Sequence, residues 1–194
     1  VEALPEALER QLVALGAPIV NELLAIAISP DLAEQDAPGD GRAPVHAARL
    51  LGKIGDPVAI VPLLAVLQRL DWDDILHDAI CLALPRFGGA LVEPALAVLA
   101  ADPPPATREA LCVALAETGY KDERIFAHLT ALYADDRILG AVAFGLYRDA
   151  RALPLLAADL RQLAPGPSPA VIRSDLVELV DAYRRIAGAL PDDL

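Results

Sequence analysis

His46-Ala47-Ala48-Arg49-Leu50-Leu51-Gly52-Lys53-Ile54-Gly55-Asp56-Pro57 reads as the end of one helix, a tight turn and the start of a second. Asp56 has a side chain suited to capping the new helix, and Pro57 suits its first position, where a missing N–H costs nothing. The same frame returns downstream. Gly88, Gly119 and Ala150 stand 31 residues apart, as do Ala79, Ala110 and Ala141, and Leu84, Leu115 and Leu146. Gly55 and Gly88 are 33 apart, and the two extra residues fit a loop. His77 and Arg108 share one place at the helix start, which the pattern turns toward solvent. A fixed period of this length is the mark of stacked helical repeats. We expect the small residues to allow close approach of helices and the leucines to fill the space between.

The strings Val45 to Asp56 and Thr107 to Gly119 resemble short HEAT-like repeats of the phycobilisome-lyase type, with Arg-x-Ala at the helix start and Leu-Gly-x-x-Gly near its end. Proline early in the second helix, at Pro62, Pro94 and Pro154, adds to the resemblance, which covers roughly residues 3 to 190. It implies an all-α chain: a right-handed α-solenoid of about six antiparallel helix pairs in a single domain over residues 1–194. Neither the tetratricopeptide nor the ankyrin pattern is present. Pro85 departs from the Gly or Ala usual there, so a kink is expected at the end of that helix. Such repeats serve many unrelated roles, so the resemblance speaks for the fold and leaves the function open.

Composition narrows the partners. A formal charge of −12 with 16 basic residues argues against nucleic acid, whose phosphates require a concentrated Lys/Arg surface, and against an anionic membrane. A basic protein or peptide is permitted. The longest run without a charge, Pro57 to Gln68, is too short for a bilayer, which takes about 20 residues. No N-terminal targeting signal is present, and two cysteines do not make a disulfide framework, so a cytoplasmic setting is expected. The chain begins at Val1 and contains no Met, so Val1 is not read as the native start.

Taken in order, helix pairs are expected at about 3–29, 43–70, 74–101, 106–134 and 137–163, with a capping helix over 169–190. Leu8, Leu12, Leu15, Ile19, Leu23 and Leu24 form the apolar stripe of the first pair, and its acids and amides the outer face. Residues 30–42 carry two prolines, two glycines and the acids Asp31, Glu34, Asp36 and Asp40, an insertion longer than most helix connections. The spacing does not fit an EF-hand, and no metal is assigned there. Gly140, Ala141, Gly145 and Ala150 thin the first helix of the fifth pair, leaving Phe144, Leu146 and Tyr147 to fill the gaps. Ser168 and Pro169 read as cap and first turn of the last helix. Cys81 and Cys112 share a repeat position and are expected as two free, mostly buried thiols.

Catalytic constellations are not found: no phosphate loop, no nucleophile elbow, no paired Cys-x-x-Cys, and only three histidines. No cofactor and no metal are assigned, and Asp74, His77 and Asp78 make at most half a metal site. The preferred reading is a non-catalytic interaction or scaffold module whose concave face, made from the second helices, holds a protein or peptide. Asn21, Glu22, Gln68, Arg69, Trp72, Glu93, His128 and Arg161 are the candidate contacts. Trp72 reads either as a hydrophobic staple between turns or as a contact residue. The second helices are apolar nearly all round, so some of Ala25, Ala65, Val66 and Ala97 are expected at the surface, where they would mark a partner site or a homodimer contact. Two other readings follow from the resemblance alone: an accessory subunit of an enzyme complex of the lyase or chaperone type, for which no basic pocket is evident, and a HEAT-like DNA-binding enzyme, which the charge disfavours.

Overall fold

The computed structural model describes residues 4–34, 36–163 and 174–190, and every regular element among them is helical. In chain order the helices are α1 (Glu6–Leu15), α2 (Val20–Ala27), α3 (Ala43–Ile54), α4 (Ile60–Leu67), α5 (Ile75–Ala83), α6 (Val92–Ala100), α7 (Pro105–Thr118), α8 (Glu123–Asp135), α9 (Arg137–Tyr147), α10 (Leu153–Leu163) and α11 (Ser174–Ala187). Short 3-10 segments lead into four of them: Ala17–Ile19 into α2, Pro57–Ala59 into α4, Leu84–Leu91 into α6 and Ala150–Ala152 into α10. The expected cap at Ser168, with Pro169, Val171 and Ile172, lies outside the described residues.

Aspartates start five of these helical segments. Asp56 accepts from the Val58 N–H at 3.0 Å, Asp74 from Leu76 at 2.7 Å, Asp122 from Arg124 at 2.8 Å and Asp149 from Arg151 at 3.0 Å, while Asp136 takes both Ile138 and Leu139. Each satisfies a donor that the first helical turn leaves without a partner, typically worth about 1 kcal/mol.

The helices gather into two compact groups, residues up to Ala114 and residues from Leu115 onward. In the first, α3 packs against α5, α1 and α2 pack against α3, and α4 meets α5 and α6. Leu51, Ile60, Leu63, Leu67, Ile80, Leu84 and Leu91 are fully buried there. In the second, α9 packs against α8 and α11, and α10 against α11, around Phe144, Tyr147, Ile125, Leu129 and Leu156.

Glycine has two separate jobs in this chain. Gly55, Gly88 and Gly119, which set the sequence period, all have positive φ (72°, 55° and 71°), and a Cβ at Gly88 or Gly119 would meet nothing within 4 Å. They end helices in a backbone conformation that other residues reach only at a cost. In the fifth pair Arg148 takes the left-handed position, with φ 53°, and Ala150 opens a 3-10 turn instead. Close packing falls to other glycines. A Cβ on Gly52 would lie 2.7 Å from the Ala83 Cα, one on Gly140 2.3 Å from the Tyr133 Cα, and one on Gly145 3.1 Å from the Ala182 Cα. These three set the approach of α3 to α5, α8 to α9 and α9 to α11.

Several expectations are corrected. Leu8 and Leu15, placed in the apolar stripe of α1, are exposed, and α1 has no buried residue. The first pair is not antiparallel: its helices meet at 98°, because Gly16 (φ 64°, ψ −141°) turns the chain and a 3-10 turn follows at once. His77 is buried rather than turned to solvent. The break expected at Pro85 is spread over Leu84–Leu91, with the non-helical residue at Gly88 (φ 55°, ψ −136°). That break also divides the apolar stretch Ile75–Ala100, which has the length and hydropathy of a membrane span and is half buried within the protein. The straight pieces α5 and α6 are nine residues each, about half of what a bilayer requires. The 30–42 insertion folds onto itself through successive turns (Ala33 to Pro30, Ala37 to Glu34, Asp40 to Ala37, Arg42 to Gly39), and Gly41 packs so closely that a Cβ would stand 2.5 Å from the Ala33 carbonyl oxygen.

Candidate functional site

The helices α2, α4, α6, α8 and α10 each keep one exposed line of residues. On α2 it runs Asn21, Glu22, Ala25, Ile28; along the Pro57–Leu67 run Val58, Val61, Ala65 and then Gln68 with Arg69; on α6 Glu93, Ala97, Ala100. In the second group α8 exposes Ala127, Ala131 and Ala134, and α10 exposes Leu155, Ala158 and Arg161. Each follows the spacing of one helical face. Of the four small residues expected at the surface, Ala25, Ala65 and Ala97 are exposed and Val66 is buried. Among the eight candidate contacts all are exposed except His128, which is half-buried and lies off the α8 line. Gln68 spends its amide N–H on the Leu64 carbonyl at 3.1 Å.

Trp72 corrects the staple reading. It is 76% exposed, in the loop between α4 and α5, with exposed Asp71 and Asp73 on either side. Val58 and Val61, at 57% and 65%, and Ile75 are exposed large apolar side chains near it in sequence.

The half metal site comes apart. Asp74 is occupied in capping α5, and His77 turns inward to Cys81, with Sγ 3.6 Å from Nδ1. Among the described residues no three His, Cys, Asp or Glu side chains stand close enough together to hold a metal ion. Both cysteines are free, and burial pushes their thiols up to about 11, aided at Cys81 by the charge of Asp78. At such values the thiolate is a minor form at neutral pH.

A cleft of about 250 Å³ opens beside α1, α3 and the end of α5, lined by Glu9, Arg49, Lys53, Leu82, Ala83 and Arg86. Three of its six lining residues are cations. Arg49 and Lys53 are one turn apart on α3 and share a face, while Arg86 comes from the 3-10 segment after α5. Gly52 against Ala83 draws α5 onto α3, and Ala83 itself lines the cleft. The Lys53 ammonium is paired with the Glu9 carboxylate, and neither side chain is more than a third exposed. Arg49 adds its charge to burial in holding His46 below the usual histidine range, with Arg42 contributing further. A signal was present: Lys53 and Arg86 both stand two residues before a glycine of the repeat. A second cleft, about 390 Å³, lies by His46, Arg42 and Asp40 at the start of α1.

In the second group several charged side chains are engaged within the fold. Asp122 pairs with Arg124 and Asp149 with Arg151, each an aspartate cap clasping the arginine two residues on. Arg151 also reaches Glu123 and lies 4.1 Å from the Phe126 ring centroid. Lys121 donates to the Tyr147 carbonyl and sits 3.9 Å over its ring, while the Tyr147 hydroxyl bonds the backbone of Asp122. Asp159, buried, accepts from the Tyr133 hydroxyl at 2.5 Å and pairs with Arg137 at 2.5 Å. Burial, then the Asp159 carboxylate, raises the Tyr133 phenol above its ordinary range. The Asp-x-Arg repetition at 122–124 and 149–151 was legible in the sequence and marks helix starts, not chemistry.

No protein-family model matches the chain, and no curated protein or solved structure is significantly similar to it.

Proposed function

We propose that this chain is a HEAT-like repeat domain acting as a non-catalytic interaction module in the cytoplasm, and that the exposed line on its second helices holds a basic protein segment. The observation that carries this is the exposure of Trp72 between two aspartates, close in sequence to the Val58, Val61 and Ala65 line. A tryptophan that stabilises nothing by burial in the free protein is the residue type that dominates interfaces once covered. Its ring face attracts Lys or Arg, and Asp71 and Asp73 add charges of the right sign. Exposed alanines allow a partner backbone to come close. The −12 charge of the chain favours encounter with a basic partner.

The test is selection from a displayed library of random peptides, followed by titration of the selected peptides against Trp72 emission. Selected sequences are expected to combine Lys or Arg with aliphatic residues, to quench or shift that emission, and to lose binding in Trp72→Ala and Val61→Asp. Selection with no basic bias, or binding indifferent to both variants, overturns the proposal. A second copy of the chain is the competing occupant, and sedimentation showing a dimer that Val61→Asp dissolves would assign the surface to self-association instead.

A further inference from the structure

We propose that the cleft formed by Arg49, Lys53 and Arg86 is a binding site for a phosphate monoester group. It lies on the first helices of the pairs and stands or falls independently of the peptide surface proposed above.

The charge is unusual for this chain. Acidic residues outnumber basic ones by 28 to 16, yet three cations line one cleft and a single carboxylate, Glu9, faces them. Glu9 is engaged by Lys53, and among the described residues neither Arg49 nor Arg86 makes an ion pair. Two positive charges are therefore left over. A phosphate monoester carries about −1.5 to −2 at pH 7, which matches that excess, whereas a single carboxylate leaves half of it unmatched. Guanidinium groups bind phosphate oxygens through paired N–H donors, so two of them beside an ammonium suit a group with three terminal oxygens.

Size points the same way. At about 250 Å³ the cleft is smaller than pockets that enclose whole small molecules, roughly 300–1,000 Å³, so it takes a group rather than a complete ligand. Leu82, 61% exposed on the rim, offers apolar contact to whatever carries the phosphate. The backbone beneath is fixed, because Gly52 meets Ala83 too closely for any side chain between them. Glu9 is the internal competitor: it holds Lys53 in the free protein and opposes an entering dianion.

The experiment is calorimetric titration of the full chain with inorganic phosphate, glycerol phosphate, and a short peptide with and without phosphoserine, at low and moderate salt. Saturable binding of at least one phosphate ester is expected, weakened by salt and absent for the unphosphorylated peptide. Arg49→Ala and Arg86→Ala should each lower affinity roughly tenfold or more, while Glu9→Gln raises it several-fold. The rise in Glu9→Gln separates ligand binding from damage to the fold, which can only lower affinity, and far-UV circular dichroism checks that the arginine variants keep their helices. The tighter of the peptide and glycerol esters names the source of the group. Absence of saturable binding by every ester, or affinities indifferent to Arg49→Ala, Arg86→Ala and Glu9→Gln, overturns the assignment.

Discussion

Replacing Gly140 by alanine sets two known effects against each other. Gly140 lies inside α9, with its N–H bonded to the Asp136 carbonyl at 2.9 Å. Alanine is favoured over glycine in a helix interior by about 1 kcal/mol. Its Cβ, however, would stand 2.3 Å from the Tyr133 Cα and 2.7 Å from the Tyr133 nitrogen, where ordinary contact is 3.4–4 Å. Those are backbone atoms of α8 and cannot rotate aside, so α8 and α9 must part. Overpacking of this kind costs about 1–3 kcal/mol and at times more. Parting the helices also displaces Tyr133, whose hydroxyl bonds the buried Asp159, a charge-assisted bond worth about 1.5–3 kcal/mol. The clash wins, and a net loss on the order of 2 kcal/mol or more is expected in urea unfolding followed by far-UV circular dichroism. Gly145→Ala is the comparison: its Cβ would lie 3.1 Å from the Ala182 Cα and 3.3 Å from the movable Arg185 Cδ, so contact and propensity nearly cancel, within about 1 kcal/mol. A Gly140→Ala protein as stable as the parent, or a Gly145→Ala protein more damaged than it, would refute the reasoning.

Two further predictions concern titrating groups. Hydrogen bonds from the Arg124 side chain and backbone hold Asp122 down at about 2, and Arg151 likewise lowers Asp149. Their contribution is present above the unfolded aspartate value near 3.9 and is lost as pH falls, for Asp122 through about 2. Urea midpoints should therefore drop between pH 4 and pH 2, with Asp122→Asn flattening that decline while keeping the cap acceptor; an unchanged acid limb counts against the pairing. Cys112, at about 11, is about one part in a thousand thiolate at pH 8, so a thiol reagent should label it far more slowly in the native protein than in urea, and prompt native labelling would contradict its burial.

The repeat period was legible because its glycines answer a local demand. A helix end that needs positive φ asks for glycine whatever packs nearby, so Gly55, Gly88 and Gly119 recur in the sequence. Asp56 was readable as a cap for the same reason. Close approach was readable at Gly140 and Gly145, which thin their helix, but not at Gly52, and the partners Ala83, Tyr133 and Ala182 come from other helices and were not readable at all. The exposures of Leu8, Leu15 and Trp72 and the burial of His77 depend on which way a helix or loop faces after packing, and helical spacing does not determine that. The candidate cleft lay between these cases. Arg49 and Lys53 at one-turn spacing, and Lys53 and Arg86 two residues before a glycine, were visible in the sequence, and their convergence required the contact of α3 with α5.

The proposed peptide surface has a further property that follows from the sequence period. With the sequence aligned on Pro62 and Pro94, Val61 corresponds to Glu93, Ala65 to Ala97 and Gln68 to Ala100, all exposed. The middle position stays alanine while its neighbours change from apolar to acidic. A constant small residue keeps each helix equally approachable, and the changing flanks supply different chemistry one repeat apart. On this reading selectivity resides at positions 61 and 93, and exchanging their side chains should alter which peptides are selected, with far-UV circular dichroism checking that the helices remain, because both side chains are exposed.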